Sequence, residues 1–283
     1  MSDTQLPPTV LELIRIALDE DVGEGDVTSL FFVPEDATSS ARIFAKEDGV
    51  TAGIEVAAAV FRQVDELLSV RVAKDDGEPF SAGDTLLQIA GSTRSILTAE
   101  RTALNFLQRL CGVATQTRRY VDAVKPHATK ILDTRKTTPG WRLLEKHAVV
   151  CGGGTNHRMG LHDMVMVKDN HLLADDNQAD LQKAIDAVKS EYPGMRIELE
   201  ADTLAQVKRF LELRGIDVLL LDNMTTEIMR EAVALANGRV ELEASGGVTL
   251  ERIAEIAATG VDYISSGALT HSVKSVDLSL ELK

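Results

Sequence analysis

The sequence predicts an α/β fold in which a parallel sheet follows a mixed region of helices and short strands. After Gly112, short β-rich runs alternate with helical segments, which is typical of βα units in a parallel sheet. Six of these runs end beside polar residues, as strands do in an α/β barrel, where their carboxyl ends form the active-site face. The 283 residues suffice for one large barrel, or for a smaller barrel with a companion domain. Both remain open at this point.

The region before residue 111 combines helices and strands. Residues 9–19 place apolar side chains at helical spacing, and residues 41–46 and 69–74 alternate apolar and polar side chains. A further helix is predicted from Thr98, as its cap, to about residue 111, with Gly112 as its stop. Arg101 would then lie in the first turn, where a cation opposes the helix dipole. A neighbouring carboxylate, a bound anion or plain solvation would have to offset its charge.

Six candidate strands define the barrel region, and polar residues stand at their ends. The strands are predicted at residues 130–133, 164–168, 196–200, 217–222, 240–244 and 262–265. The polar residues are, in the same order, Arg135 and Lys136; Lys168; Glu200; Asp222; Ser245, Gly246 and Gly247; and Ser266 and Gly267. We expect these residues to converge at one edge of the sheet.

Composition and charge restrict the class of protein. A net charge of −14 argues against nucleic-acid binding, which needs a basic face, and no apolar run is long enough to cross a bilayer. Residues 98–170 hold twelve basic and six acidic side chains, whereas the remainder holds eighteen and thirty-eight. Unless it is a chance fluctuation, this basic island suits a small, highly anionic ligand. The sequence lacks the pattern of a signal peptide or a disulfide framework, so we expect a cytoplasmic protein.

The cations in this island predict two kinds of anionic substrate. Arginine clamps carboxylates with two hydrogen bonds, whereas lysine acts as a point charge on phosphate groups. The pattern therefore indicates one substrate rich in carboxylates and a second rich in phosphates. The residues concerned are Arg101, Arg135, Lys136, Arg158 and Lys168, together with His157.

Acids and glycines complete the predicted site. Glu200 and Asp222 could hold Mg²⁺ with a pyrophosphate, bind ribose hydroxyls or stabilise a sugar cation, or they could be structural ion pairs. Glu198, two residues before Glu200, is a lesser candidate on the same face of its strand. The runs 245–247 (SGG) and 266–267 (SG) follow the last two strands, where barrels commonly bind phosphate on backbone N–H groups.

Other side chains suggest alternatives that the sequence leaves open or disfavours. Lys168 could form a Schiff base in a phosphate-binding barrel aldolase. The histidines at 157, 162 and 171, with the acids at 163 and 169, match no common zinc spacing. We interpret Trp141, Cys111 and Cys151 as packing residues.

Six motifs, taken together, resemble the quinolinate phosphoribosyltransferase family, and they occur in the family's order. They are residues 100–105 (ERTALN), 133–140 (DTRKTTPG), 152–158 (GGGTNHR), 168–171 (KDNH), 221–223 (LDN) and 245–247 (SGG). The resemblance runs from about Gly49 to the last residue. Two positions depart from the family pattern, Trp141 after Gly140 and Ser266 where valine is common, and neither removes a functional group.

The resemblance implies a fold, a reaction and an assembly. The fold would be an N-terminal α/β sandwich-like domain (residues 1–111, completed by 270–283) and an open α/β barrel of fewer than eight strands (residues 112–269). The reaction would join quinolinate to phosphoribosyl pyrophosphate, giving nicotinate mononucleotide, pyrophosphate and CO₂, with Mg²⁺ as cofactor. The assembly would be a homodimer in which Arg101 reaches into the other subunit's site. The runner-up is a related phosphoribosyltransferase of the molybdenum-associated type, which would be expected to lack part of the arginine pocket.

The resemblance also assigns roles to residues. Arg135, His157 and Arg158 would form the quinolinate pocket with Arg101, and Lys136 and Lys168 would be the central lysines. Glu200 and Asp222 would serve the ribose and Mg²⁺. The 5′-phosphate loops would be formed by Ser245, Gly246, Gly247, Ser266 and Gly267.

Overall fold

The computed structural model describes residues 6–168 and 178–283. Contacts divide the chain into two compact units. The first contains Met1–Arg118, Thr138–Gly153 and Ser272–Lys283, and the second contains Arg119–Thr137 and Gly154–His271. Within the described ranges, no helix has both the length and the apolar character needed to span a bilayer.

The first unit contains a four-stranded antiparallel sheet with helices. Its strands are β1 (Thr38–Ala45), β3 (Ser69–Val72), β5 (Thr85–Ser92) and β12 (Leu278–Leu282), in the order β12-β1-β5-β3. The strands predicted near 41–46 and 69–74 are confirmed. The short strands β2 (Gly49–Val50) and β4 (Pro79–Phe80) pair separately, and the helices are α1 (Pro8–Val22), α2 (Val27–Phe32) and α3 (Ile54–Val64). Alternate residues of β1, including Ile43, are buried in the core.

The long helix α4 (Thr93–Ala123) corrects the predicted helix at 98–111. It contains 31 residues, so Thr98 is not its cap and Gly112 is not its stop. A Cβ on Gly112 would lie 2.5 Å from the carbonyl oxygen of Lys274, so glycine is needed there for close backbone approach. Arg101 consequently lies in the third turn, where the argument from the helix dipole no longer applies.

Helix α5 (Arg142–Cys151) belongs to the first unit although it lies between barrel strands in the sequence. Trp141, just before it, stacks on Phe106 with ring centroids 4.6 Å apart, which confirms the packing interpretation of this residue. The buried carboxylate of Glu145 pairs with Arg109 at 2.7 Å. These contacts explain why the segment Thr138–Gly153 packs with the first unit.

The second unit is built on a six-stranded parallel sheet. Its strands are β6 (Lys130–Leu132), β7 (Val165–Val167), β8 (Ile197–Ala201), β9 (Val218–Asp222), β10 (Glu241–Ser245) and β11 (Tyr263–Ser265). They lie in the order β6-β11-β10-β9-β8-β7. The helices are α6 (Gln178–Glu191), α7 (Leu204–Phe210), α8 (Thr226–Ala236), α9 (Ile253–Ala257) and α10 (Ala268–His271).

The six predicted strands are confirmed, and the sheet has fewer strands than an eight-stranded barrel. Strands β6 and β7 are the two edges of the sheet within the described part of the chain. The central strand β9 is buried along Val218–Leu221, as expected of a parallel sheet covered on both faces. Asp222 follows this buried run and is opposite Ser245 in the register. The polar ends of the strands therefore lie along one edge.

Candidate active site

Two arginines of the second unit, Arg135 and Arg158, interact electrostatically. Arg158 donates from Nη1 to the carbonyl oxygen of Met164 at 3.2 Å. Burial and then the positive charge of Arg135 lower the pKa of Arg158. Nε of Arg135 is buried and has no hydrogen-bond partner among the described residues. A buried, unpaired donor is costly, and an anion with several oxygens would satisfy both arginines.

His157 is held from both sides of its ring. Its Nδ1 accepts the backbone N–H of Arg158 at 2.7 Å, so we assign the ring proton to Nε2. Nε2 lies 3.1 Å from Oε2 of Glu198 and 3.5 Å from Oε2 of Glu243. Asp133 accepts the backbone N–H of His157 at 2.8 Å. Because both nitrogens have protein partners, this geometry suits His157 to positioning Arg158.

Glu198 and Glu243 form a buried carboxyl pair that the sequence analysis largely missed. Both side chains are at most 2% exposed, and Oε1 of each is buried with no hydrogen-bond partner among the described residues. Burial, followed by the negative charge of Glu198, raises the pKa of Glu243 to about 8. Glu243 is therefore mostly protonated at neutral pH. The only sequence signal was the i, i+2 spacing of Glu198 and Glu200.

A lysine and three acids lie at the ends of β7, β8 and β9. Nζ of Lys168 pairs with Oε2 of Glu200 at 3.0 Å. Carboxylate oxygens of Glu200, Asp202 and Asp222 lie within 4.8 Å of one another. The sequence analysis did not select Asp202, which follows β8 and is exposed. Carboxylate oxygens are the ligands that Mg²⁺ prefers, so this donor set fits that ion.

The loop after β10 places glycine backbone against Asn223. Gly246 has φ +85, and a Cβ there would lie 2.3 Å from Oδ1 of Asn223. Asn223 itself adopts φ 52 and donates its backbone N–H to the carbonyl oxygen of Ser245. Gly247 also has a positive φ. This tight loop exposes backbone beside Asp222 and can accept a bulky anion close to the chain.

The loop after β11 adjoins Lys136 and His271. A Cβ on Gly267 would lie 2.8 Å from Cδ of Lys136 and 2.9 Å from Cδ2 of His271. The backbone N–H of Ser266 is already used, since it donates to the carbonyl oxygen of Leu132. Sequence analysis gave His271 no role, because this single histidine after the last predicted strand belongs to none of the six motifs.

Two groups of predicted residues are not placed with this site. Arg101 lies on α4 in the first unit and is exposed. Asp169, Asn170 and His171, the rest of the motif that begins at Lys168, lie outside the described residues. The second unit brings together Arg135, His157 and Arg158, and separately Lys168, Glu200 and Asp222.

Comparison with family models matches both halves of the chain. Residues 26–111 match the model described as "Quinolinate phosphoribosyl transferase, N-terminal domain". Residues 113–281 match the model described as "Quinolinate phosphoribosyl transferase, C-terminal domain".

Individual proteins and structures are similar over nearly the whole chain. A chloroplastic nicotinate-nucleotide pyrophosphorylase [carboxylating] of Oryza sativa subsp. japonica is 44% identical over 286 residues, covering 95% of this chain and 76% of the relative. A probable nicotinate-nucleotide pyrophosphorylase [carboxylating] of Synechocystis is 40% identical, covering 99% and 95%. The structure of the nicotinate-nucleotide pyrophosphorylase from Francisella tularensis superposes with a TM-score of 0.92 at 37% identity, covering 100% and 99%.

Proposed function

Because the chain belongs to the quinolinate phosphoribosyltransferase family, we propose that it transfers the phosphoribosyl group of phosphoribosyl pyrophosphate to quinolinate. The pyridine nitrogen forms a bond to C1 of the sugar while the bond to pyrophosphate breaks. The 2-carboxylate then leaves as CO₂, and the ring carbon takes up a proton. The products are nicotinate mononucleotide, pyrophosphate and CO₂.

The observation that carries this proposal is the pair Arg135 and Arg158. Quinolinate bears two adjacent carboxylates, which offer four acceptor oxygens on one side of the ring. A guanidinium whose pKa is lowered by burial and by the charge of Arg135, together with the buried and unpaired Nε of Arg135, favours such a dianion. His157, Glu198 and Asp133 hold the segment that positions Arg158.

Lys136 and Lys168 would serve the second substrate. Lys136 lies over the Gly267 loop and Lys168 is beside Glu200, so a phosphoribosyl group between them would meet a cation on each side. As pyrophosphate leaves, positive charge develops on the sugar, and the carboxylates of Glu200 and Asp222 would stabilise it. The loops at Ser245, Gly246 and Gly247 and at Ser266 and Gly267 would bind the 5′-phosphate, mainly through backbone.

Mg²⁺ is the cofactor that the acids favour. Glu200, Asp202 and Asp222 would hold it, directly or through water, because their oxygens cluster within 4.8 Å. A bound Mg²⁺ would neutralise charge on the pyrophosphate. The protein's own part is to orient the two anions against their mutual repulsion.

A homodimer would complete the site. Arg101 is exposed on α4, so it is available to a second copy of the chain. We propose that it supplies a third guanidinium to the quinolinate pocket of the other subunit.

The two alternative functions fit less well. An aldolase needs an unprotonated lysine to form a Schiff base, whereas Lys168 pairs with the carboxylate of Glu200. A molybdenum-associated paralogue would be expected to lack part of the arginine pocket, and Arg101, Arg135 and Arg158 are all present.

Pyrophosphate release tests the proposal, with quinolinate as substrate and nicotinate as the control. In the presence of phosphoribosyl pyrophosphate, we expect turnover of quinolinate and no turnover of nicotinate. Arg135→Ala should raise KM for quinolinate at least about tenfold and leave KM for phosphoribosyl pyrophosphate nearly unchanged, because a charged hydrogen bond is worth about 1.5–3 kcal/mol. The matched control Arg230→Ala changes an exposed arginine of α8 and should alter neither constant. Turnover of nicotinate instead, or equal losses for both substrates, would contradict the assignment.

A further inference from the structure

A second cluster of reactive side chains lies in the first unit, and the proposed reaction does not use it. Nε2 of His147 lies 2.7 Å from Oδ2 of Asp76 and 3.4 Å from Sγ of Cys151. One atom from each residue lies within 4.8 Å of the other two. The side chain of His147 is 52% exposed and that of Asp76 is 23% exposed, so solvent reaches the cluster.

Local structure holds the three donors in place. His147 and Cys151 stand four residues apart on α5 and therefore share one face of the helix. Asp76 comes from the turn before β4, and its Oδ1 accepts the backbone N–H of Ile54 at 3.0 Å. That bond leaves Oδ2 directed at the imidazole. The same ring nitrogen thus faces both the carboxylate and the thiol.

We propose that Asp76, His147 and Cys151 form a binding site for a divalent transition-metal ion of the zinc type. Thiolate, imidazole and carboxylate are the three donors that zinc takes from proteins, whereas Mg²⁺ and Ca²⁺ take oxygen alone. Zinc bonds of about 2.0–2.3 Å in a tetrahedron separate the ligands by roughly 3.3–3.7 Å. The distance from Sγ to Nε2 already lies in this range, at 3.4 Å. The distance from Oδ2 to Nε2 must lengthen from 2.7 Å to about 3.3 Å as the metal replaces a proton.

The charge of this cluster also favours a divalent metal ion. With the thiol deprotonated, the site holds two negative charges against the two positive charges of the ion. The last turn of α5 ends at Cys151, where the helix dipole favours a cation. Exposure of His147 leaves a route of entry and a fourth position for water.

Metal binding must compete with a proton. The hydrogen bond to Asp76, followed by that to Cys151, raises the pKa of His147 to about 10. Zinc binds neutral imidazole and thiolate, so binding has to release protons, and affinity rises with pH. The site would join the Asp76 turn to the end of α5 and would stabilise the first unit when it is filled.

Cobalt titration of the full chain tests the proposal. After chelator treatment, the protein is titrated with Co²⁺ in excess Mg²⁺, which occupies the oxygen ligands of Glu200 and Asp222 and forms no thiolate band. We expect a thiolate-to-cobalt charge-transfer band that saturates at one equivalent and disappears when Zn²⁺ is added. Calorimetry in buffers of different ionisation enthalpy should show proton release.

Matched variants assign the band to this site. Cys151→Ser should abolish it, and His147→Gln should weaken Co²⁺ binding at least about tenfold, since even indirect partners of a metal cost that much. Cys111→Ala removes the other thiol, and Asp222→Asn alters the proposed active site, and both should keep the band. Circular dichroism confirms that each variant is folded. An absent band in the unmodified chain, a band that survives Cys151→Ser, or unchanged affinity in His147→Gln would overturn the proposal.

Discussion

The Glu198 and Glu243 pair allows a quantitative test through Glu243→Gln. The amide keeps the shape of the carboxyl group but cannot ionise. In the folded chain, burial and the charge of Glu198 raise the pKa of Glu243 to about 8. A glutamate in an unfolded chain titrates near pH 4.3. Between these values the folded chain holds one more proton than the unfolded chain.

The sign and size of the effect follow from that proton. The stability that Glu243 contributes is fully present below about pH 4.3 and is lost as the pH rises towards 8. One proton changes the free energy of unfolding by about 1.4 kcal/mol per pH unit within this window. The variant lacks this dependence. The difference in free energy of unfolding between Glu243→Gln and the unmodified chain should therefore shift in favour of the variant by roughly 2.7 kcal/mol between pH 5.5 and 7.5.

Urea denaturation at pH 5.5, 6.5 and 7.5, followed by circular dichroism, measures this difference. At pH 5.5 the unmodified chain should already have lost about 1.7 kcal/mol of this contribution, because Glu243 is ionised in the unfolded chain, and the difference in stability between the two proteins should widen as the pH rises. Glu231→Gln, which changes an exposed residue of α8, is the control. The difference in free energy of unfolding between this variant and the unmodified chain should not vary with pH. A difference between Glu243→Gln and the unmodified chain that stays constant with pH would refute a protonated Glu243.

The remaining predictions concern the phosphate loop and the dimer. Gly246→Ala should raise KM for phosphoribosyl pyrophosphate more than KM for quinolinate in initial-rate kinetics, because its Cβ would lie 2.3 Å from Asn223 at a positive φ; a selective effect on quinolinate would count against a phosphate loop. At a quinolinate concentration too low for either variant alone to turn over appreciably, mixing Arg101→Ala and Arg135→Ala subunits should restore about a quarter of the activity, since half of the dimers would each hold one intact site. No recovery after subunit exchange would argue against a shared site.

Much of the second unit could be predicted because its signals are local. Each strand is a short β-rich run followed by polar residues, so residues 217–222 predicted β9 within one residue. The end of α4 could not be predicted in this way. Glycine is typical of the end of a helix, so Gly112 predicted a stop. In the structure, glycine is required there by the carbonyl oxygen of Lys274, and that contact joins residues far apart in the sequence.

The same distinction between local signals and contacts of distant residues applies to the candidate site. Arg135 follows the first predicted barrel strand, and Arg158 lies in the basic island and closes the motif 152–158 (GGGTNHR), so both could be selected from the sequence. Glu243 could not. Glu241, on the same face of β10, pairs with Arg196 near the surface, whereas Glu243 is buried beside His157. Only the positions of β8 and His157 in space distinguish these two glutamates.

The pairing of β12 with β1 has a consequence for how the chain is made. Arg42 and Glu281, which join across these strands, are 239 positions apart. At about 5–20 residues per second, the ribosome needs roughly 10–50 s to reach the second strand after the first has been synthesised. Throughout that interval β1 has one edge without its partner, and an open edge strand is a template for aggregation. Chaperone demand during synthesis should therefore depend on the first unit, which begins early and is completed late.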